Sequence, residues 1–137
     1  MTHQTYTTDI LVVGGGTGGT TAAIQAARRG ANTILVSEFS WLGGMLTSAG
    51  VCAPDGNELA AFQTGIWGEI LRELHQRQQS GLDICWASIF SYHPQIGAQI
   101  FADWVAQLTN LQWFSGQVPL EVFSENNCIT GVRFADF

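Results

Sequence analysis

The stretch Asp9-Ile10-Leu11-Val12-Val13-Gly14-Gly15-Gly16-Thr17-Gly18-Gly19 limits the fold more than any other part of the chain. The apolar run Ile10–Val13 suits a strand buried in a parallel sheet. It leads directly into Gly-x-Gly-x-x-Gly at Gly14, Gly16 and Gly19, with Gly18 inside the same turn. In such a turn the first glycine permits a tight exit from the strand. The second lets the backbone approach a diphosphate with no Cβ in the way, and the third lets the next helix pack close. The N-terminus of that helix adds unpaired N–H groups and partial positive charge.

A glycine-rich turn alone is a weak signal, so its neighbours decide the reading. Ala22, Ala23, Ala26 and Ala27 give the following segment a small-residue helical face, and Arg28, Arg29 and Gly30 close it. Thr33-Ile34-Leu35-Val36 reads as a second strand, and Glu38 follows. Glu38 lies 19 residues after Gly19, close to the ~20 expected of an acid that binds ribose hydroxyls. Residues 8–38 are thus expected to form a βαβ unit that binds a dinucleotide. A carboxylate at position 38 repels a ribose 2′-phosphate, which disfavours an NADP-type ligand.

A chain of 137 residues has room for a single domain. It is short for a complete flavoprotein or dehydrogenase with a separate substrate domain. Apolar residues make up 46% and charged residues 12%, with five Trp and eight Phe, so apolar surface is expected. The net charge of −6, with no lysine, argues against nucleic acid and anionic membranes as partners. No apolar run is long enough for a membrane span, and Met1–Tyr6 lacks the features of a signal peptide. Cys52, Cys85 and Cys128 are odd in number and far apart, as expected of free thiols in a reducing, cytoplasmic compartment.

Beyond Glu38, Trp41-Leu42-Gly43-Gly44-Met45-Leu46-Thr47 forms a second glycine turn within a loop over residues 41–57. Asp55 and Glu58 have capping-box spacing. The helical spacing of Leu59, Phe62, Ile66, Ile70 and Leu74 predicts a helix over 58–79, weakened at Gly65 and Gly68 by about 1 kcal/mol each. Those glycines are candidates for close approach to another backbone or a ligand. Residues 80–94 read as loop with a short strand. Ile96, Ile100, Phe101, Trp104, Val105 and Leu108 line one face of a helix over 95–108, and residues 111–114 read as a third core strand. Residues 117–134 read as a hairpin turning at Asn126-Asn127, because asparagine tolerates positive φ.

Asp9–Gly19, Glu38 and the Gly43-Gly44-Met45-Leu46-Thr47 turn together resemble the N-terminal part of a bacterial FAD-dependent oxidoreductase of the glutathione-reductase-like superfamily. The resemblance implies an α/β, Rossmann-like FAD-binding domain with a parallel sheet and a small β-meander. It implies FAD as cofactor and hydride transfer between a small organic substrate and the flavin. It places Gly14, Gly16 and Gly19, with Gly18, along the pyrophosphate, and Glu38 on the adenosine ribose. Gly43 and Gly44 would let the backbone pass the pyrophosphate and ribityl chain, Met45 would lie toward the flavin, and Val118 would present backbone groups to the adenine. Such proteins carry a later Gly-Asp-type motif, a substrate domain and a further flavin-contacting segment. The chain is therefore expected to be an incomplete domain, inactive alone, that self-associates or is complemented by a C-terminal half. Two other readings stay open: an NAD-binding module of the same fold, and an inactive fragment acting only by association.

No catalytic residue emerges. Cys52-Ala53-Pro54 echoes the end of a disulfide-reductase motif, but no second cysteine precedes it, and one thiol cannot form an internal disulfide. His3, His75 and His93 have no evident partners, and no His, Cys or carboxylate set has metal-ligand spacing. The tryptophans read as core or interface residues, with Trp41 beside the second glycine turn the best candidate for a flavin contact.

Overall fold

The computed structural model describes residues 4–54, 63–78, 83–86 and 88–137. Strand β1 (Ile10–Val13) leads through the glycine turn into helix α1 (Thr17–Arg28), which returns the chain to β2 (Thr33–Ser37). A 3-10 turn spans Gly44–Leu46. Helix α2 (Gly65–Arg77), the short strands β3 (Asp83–Cys85) and β4 (Ser88–Ser91) and helix α3 (Pro94–Ala106) precede β5 (Leu111–Ser115). Strands β6 (Gln117–Glu125) and β7 (Cys128–Asp136) follow.

The core sheet has the order β1-β2-β5 and is parallel throughout. Val13 pairs with Val36, and Ser37 with Ser115, so all three strands end on one side. All five residues of β2 are buried, as expected of a β-branched run with strands on both sides and helices over it. Strand β1 is different: Ile10 is 38% and Val13 47% exposed.

Helix α1 docks through Thr20, Ala23, Ile24 and Ala27, the i, i+3, i+4, i+7 positions of one face. Three alanine- or threonine-sized side chains on that face bring its axis close to the sheet. Asn110 ties the end of the helix to the loop beyond it: its side-chain amide donates to Ala27 O in the last turn and to Ala31 O past the helix end, both at 2.8 Å. Helix α3 brings Ile100, Phe101, Trp104 and Val105 into the core, where Phe101 meets Trp104 edge-on at 6.0 Å. Ile70 and Leu74 of α2 complete that core.

The helix expected over 58–79 begins instead at Gly65. Thr64 is extended and Gly65 has φ +57°, a left-handed conformation that cannot continue a right-handed helix from the N-terminal side. Leu59, Phe62 and the Asp55/Glu58 capping box lie outside the described residues. Gly68 makes the close backbone approach its position foreshadowed: a Cβ there would stand 2.6 Å from the carbonyl carbon of Gln63. The 80–94 region holds two antiparallel strands, β3 and β4, rather than one. Runs of three and four residues carry too little periodicity to be read. The hairpin is as expected in type, with Asn126 (φ +49°) and Asn127 (φ +62°) forming the turn, and β7 runs to Asp136, two residues beyond the expected end.

Two ionic groups join the helices. Arg28 pairs with Glu69 at 2.9 Å while its guanidinium lies 5.1 Å from the Trp104 ring, linking α1, α2 and α3. Arg77 bridges Glu73 of its own helix and Asp103 of α3. Hydrogen bonds from Arg77 first, and from Gln99 second, hold the Asp103 carboxyl below its ordinary value. A lowered carboxyl pKa gives stability that is present above the unfolded value, near 3.8, and is lost as pH falls through the folded value. The Asp103→Asn variant is expected to lose a small part of the acid-dependent stability loss below about pH 4, read as a flatter melting-temperature profile between about pH 5 and pH 2. An unchanged acid limb would show that the pair does not contribute.

Candidate functional site

The carboxyl ends of β1, β2 and β5 lie side by side, and each leads into a predicted site element. Ligands in open α/β sheets bind at such an edge. Gly14 continues the ladder by one hydrogen bond, N–H to Val36 O at 2.8 Å, and then turns at φ +110°. Gly16 starts α1 in an extended conformation, with no side-chain cap and no acidic residue in the first turn. No capping side chain thus takes up the first N–H groups of α1, an arrangement that suits an anionic group.

The glycines divide into two kinds. At Gly16 and Gly18 a Cβ would meet nothing within 4 Å, so the space beside the backbone is open. At Gly19 a Cβ would stand 2.0 Å from Gly14 O, so the third glycine is a packing requirement of the strand–helix turn itself. Gly15, which the motif does not specify, is equally confined: its Cβ would lie 2.7 Å from Ser37 Cβ and 3.1 Å from Leu42 Cδ2.

The second glycine turn packs directly on the first. Gly43 is buried at φ +109°, where a Cβ would strike the Phe101 ring at 2.6 Å. Gly44 has φ +55°, and its Cβ would lie 2.8 Å from Gly16 Cα. Gly43 N–H donates to Gly15 O at 2.9 Å and to Thr20 Oγ1 at 3.1 Å. Thr17 Oγ1 donates to Gly43 O at 2.7 Å. From α3's side, Tyr92 OH donates to Leu46 O at 2.9 Å, and burial pushes that hydroxyl's pKa far up, so it stays a donor. Met45, between these anchors, is 62% exposed.

The structure therefore brings Gly14, Gly16, Gly18, Gly19, Gly43 and Gly44 into one unit built of two touching turns. Glu38 is the first residue beyond β2 and is exposed. Val118 is half-buried, second in β6 and paired with Ala135, just past the end of β5. Both lie at the same edge of the sheet as the turns. Cys52 is half-buried and free, and its burial raises the thiol pKa, the opposite of what a reactive thiolate needs. His75 and His93 are exposed, and His93 stands at the N-cap position of α3 ahead of Pro94 without a side-chain capping bond. Trp104 is buried and Trp41 exposed, whereas Trp86 is fully exposed rather than part of a core.

Sequence reasoning missed Thr17, Thr20, Gly15 and Ser37. Ser37 Oγ accepts from Trp113 Nε1–H and donates to Phe39 O, both at 2.8 Å, and so fixes the exit of the chain toward Glu38. A signal for Thr20 was present: it is the one polar residue on the buried stripe Thr20, Ala23, Ile24, Ala27.

A parallel βαβ sheet edge with a glycine turn, an uncapped helix N-terminus and a second glycine turn defines a dinucleotide-binding α/β domain. The chain belongs to the FAD dependent oxidoreductase family, which it matches over residues 9–136, and its cofactor is FAD. Solved structures share the fold at low identity. GidA from Aquifex aeolicus is 20% identical with a TM-score of 0.64, over 93% of this chain and 22% of that one. A geranylgeranyl bacteriochlorophyll reductase-like protein from Thermoplasma acidophilum is 18% identical with a TM-score of 0.60, over 94% of this chain and 35% of that one. Glycine oxidase from Bacillus cereus is 17% identical with a TM-score of 0.57, over 94% of this chain and 52% of that one. The chain thus spans between about a fifth and a half of the length of these proteins.

The two kinds of glycine predict opposite effects of the same substitution. Gly18→Ala, in the open first turn of α1, is expected to stabilise the ligand-free chain by up to about 1 kcal/mol. Gly19→Ala must separate α1 from β1 and is expected to cost more than the ~1–3 kcal/mol of ordinary overpacking. Urea unfolding of both variants checks this, and similar stabilities would contradict the packing account.

Proposed function

We propose that this chain is the FAD-binding portion of a flavin-dependent oxidoreductase that passes hydride between a small organic substrate and the flavin. We further propose that it is not catalytically complete alone. The observation that carries this reading is the contact between the two glycine turns. Together they offer a continuous strip of backbone with open space at Gly16 and Gly18, which is the shape a long dinucleotide requires. The open positions and uncapped helix fit the diphosphate of FAD. Bound flavin supplies the redox chemistry by accepting or giving hydride, and the protein supplies binding and orientation.

In this reading the N–H groups around Gly14, Gly16, Gly18 and Gly19 hold the pyrophosphate, and Glu38 accepts hydrogen bonds from the adenosine ribose. Gly43 and Gly44 let the ribityl chain pass close to the backbone. Met45 borders the flavin, and Val118 meets the adenine through its backbone. The three free cysteines support a reducing, cytoplasmic setting.

Titration with FAD and with NAD, followed by absorbance and thermal melting, tests the cofactor reading. FAD is expected to raise the melting temperature and NAD to leave it unchanged. A shift with NAD alone would favour the NAD-binding module, and a shift with neither would favour a fragment that acts by association. Glu38→Ala is expected to weaken FAD binding by about 1.5–3 kcal/mol, roughly ten- to hundredfold. Gly16→Ala is expected to abolish binding while leaving the ligand-free fold intact, because its methyl group would occupy the ligand's space. Unchanged FAD affinity in both variants would overturn the assignment.

The outer edge of β1 has no strand beside it among the described residues, and Leu120, Val122, Phe123 and Ile129 of the hairpin are exposed. We propose that a complementing C-terminal segment covers these surfaces, a reading supported by the greater length of the related structures. Sedimentation analysis is expected to show a monomer with exposed apolar surface; a discrete dimer would favour self-association instead.

A further inference from the structure

We propose that Thr20 is a positioning residue for the cofactor: its buried hydroxyl sets the spacing between the two glycine turns and so the path of the flavin half of the dinucleotide. This rests on the FAD-binding reading above. Thr20 is completely buried, on a helix face otherwise made of Ala23, Ile24 and Ala27. A polar group in such a place is retained only if its hydrogen-bonding capacity is met. Its hydroxyl donates to Gly15 O at 3.0 Å and accepts from Gly43 N–H at 3.1 Å. One oxygen therefore joins the first turn to the second, between the two residues whose backbones also bond directly at 2.9 Å.

The effect on the site runs through Gly43. Its N–H is held by Gly15 O and Thr20, and its C=O by Thr17 Oγ1 at 2.7 Å. With both polar groups fixed, the peptide planes on either side of Gly43 cannot rotate freely. Gly44 is then pressed onto Gly16 at a spacing that a Cβ would violate, and Met45 is presented at the surface. Thr20 cannot touch the ligand, because it is buried beneath the turns. It acts by holding Gly43.

The link is separable from the fold. Without the hydroxyl, Gly43 N–H still has Gly15 O, Gly43 O still has Thr17, and Thr47 Oγ1 still donates to Leu42 O at 2.6 Å. Valine matches threonine in shape, so Thr20→Val removes the link and little else. ADP engages the first turn and Glu38 but ends before the ribityl chain, whereas FAD must pass the second turn as well.

The experiment is calorimetric titration of the full chain and of Thr20→Val and Thr20→Ser with ADP and with FAD. Thr20→Val is expected to weaken FAD binding about tenfold while ADP affinity stays within about twofold, and Thr20→Ser is expected to restore FAD binding. Hydrogen exchange is expected to show faster exchange of the Gly43 amide in the valine variant alone. Unchanged FAD affinity in Thr20→Val, or equal weakening of ADP and FAD, overturns the positioning role while leaving the cofactor reading standing. A parent chain that binds neither ligand overturns both. If Thr20→Val gives no cooperative melt, Thr17→Val, which frees Gly43 O, is read in the same way.

Discussion

The approach of α1 to the end of β1 governs the rest of the molecule. Gly19 lies against Gly14 O at a distance that admits no side chain. That contact fixes where the helix begins, and the helix in turn fixes the other surfaces. Its buried face sits on β2 through alanines, and its first turn supplies Thr17 and Thr20 to the second glycine turn. A helix displaced outward by one methyl group would lose both the shallow alanine packing and the reach of those hydroxyls. Close packing of interiors makes such a shift costly, because the neighbours cannot relax to fill the gap.

The apolar core serves this arrangement from below. Phe101 occupies the space above Gly43, and Gly97 lets α3 approach the Leu46 carbonyl, so the third helix backs the second turn rather than merely covering the sheet. Leu42 and Leu46 anchor that turn in the core on either side of the exposed Met45. Two buried leucines flanking one outward-facing residue hold the backbone of the loop while its tip stays exposed. Arg28 adds a tie among the three helices at modest energetic weight, being partly solvated.

Much of this was legible in the residues. Ile10–Val13, the alanine face and Thr33–Val36 declared the βαβ unit because apolar period, small side chains and helix-ending residues agreed with one another. Asn126-Asn127 declared its turn because few residue pairs accept two positive φ values in succession. Gly65 was legible only as a weak point. Its left-handed φ, which sets the start of α2, depends on a backbone path that composition does not encode. The strands β3 and β4 are too short to carry a period. At the site, the motif glycines and Glu38 could be named from spacing alone, whereas Gly15, Ser37 and Thr20 could not. Their importance comes from contacts between segments far apart in the chain, such as Trp113 to Ser37.

The outer side of β1, which has no strand beside it among the described residues, also has a bearing on how the chain behaves in concentrated solution. An unpaired strand of Ile-Leu-Val-Val is a template for adding further strands, and proteins commonly guard such strands with lysine, proline or inward-turned charge. This chain has no lysine anywhere. The nearest charge, Asp9, already accepts a hydrogen bond from the Asn32 backbone amide at 3.0 Å, and of the glycines that follow, Gly14 turns at a left-handed φ while Gly15 and Gly19 have no room for a side chain. The confined glycines of the first turn thus leave the strand beside them without a guarding side chain.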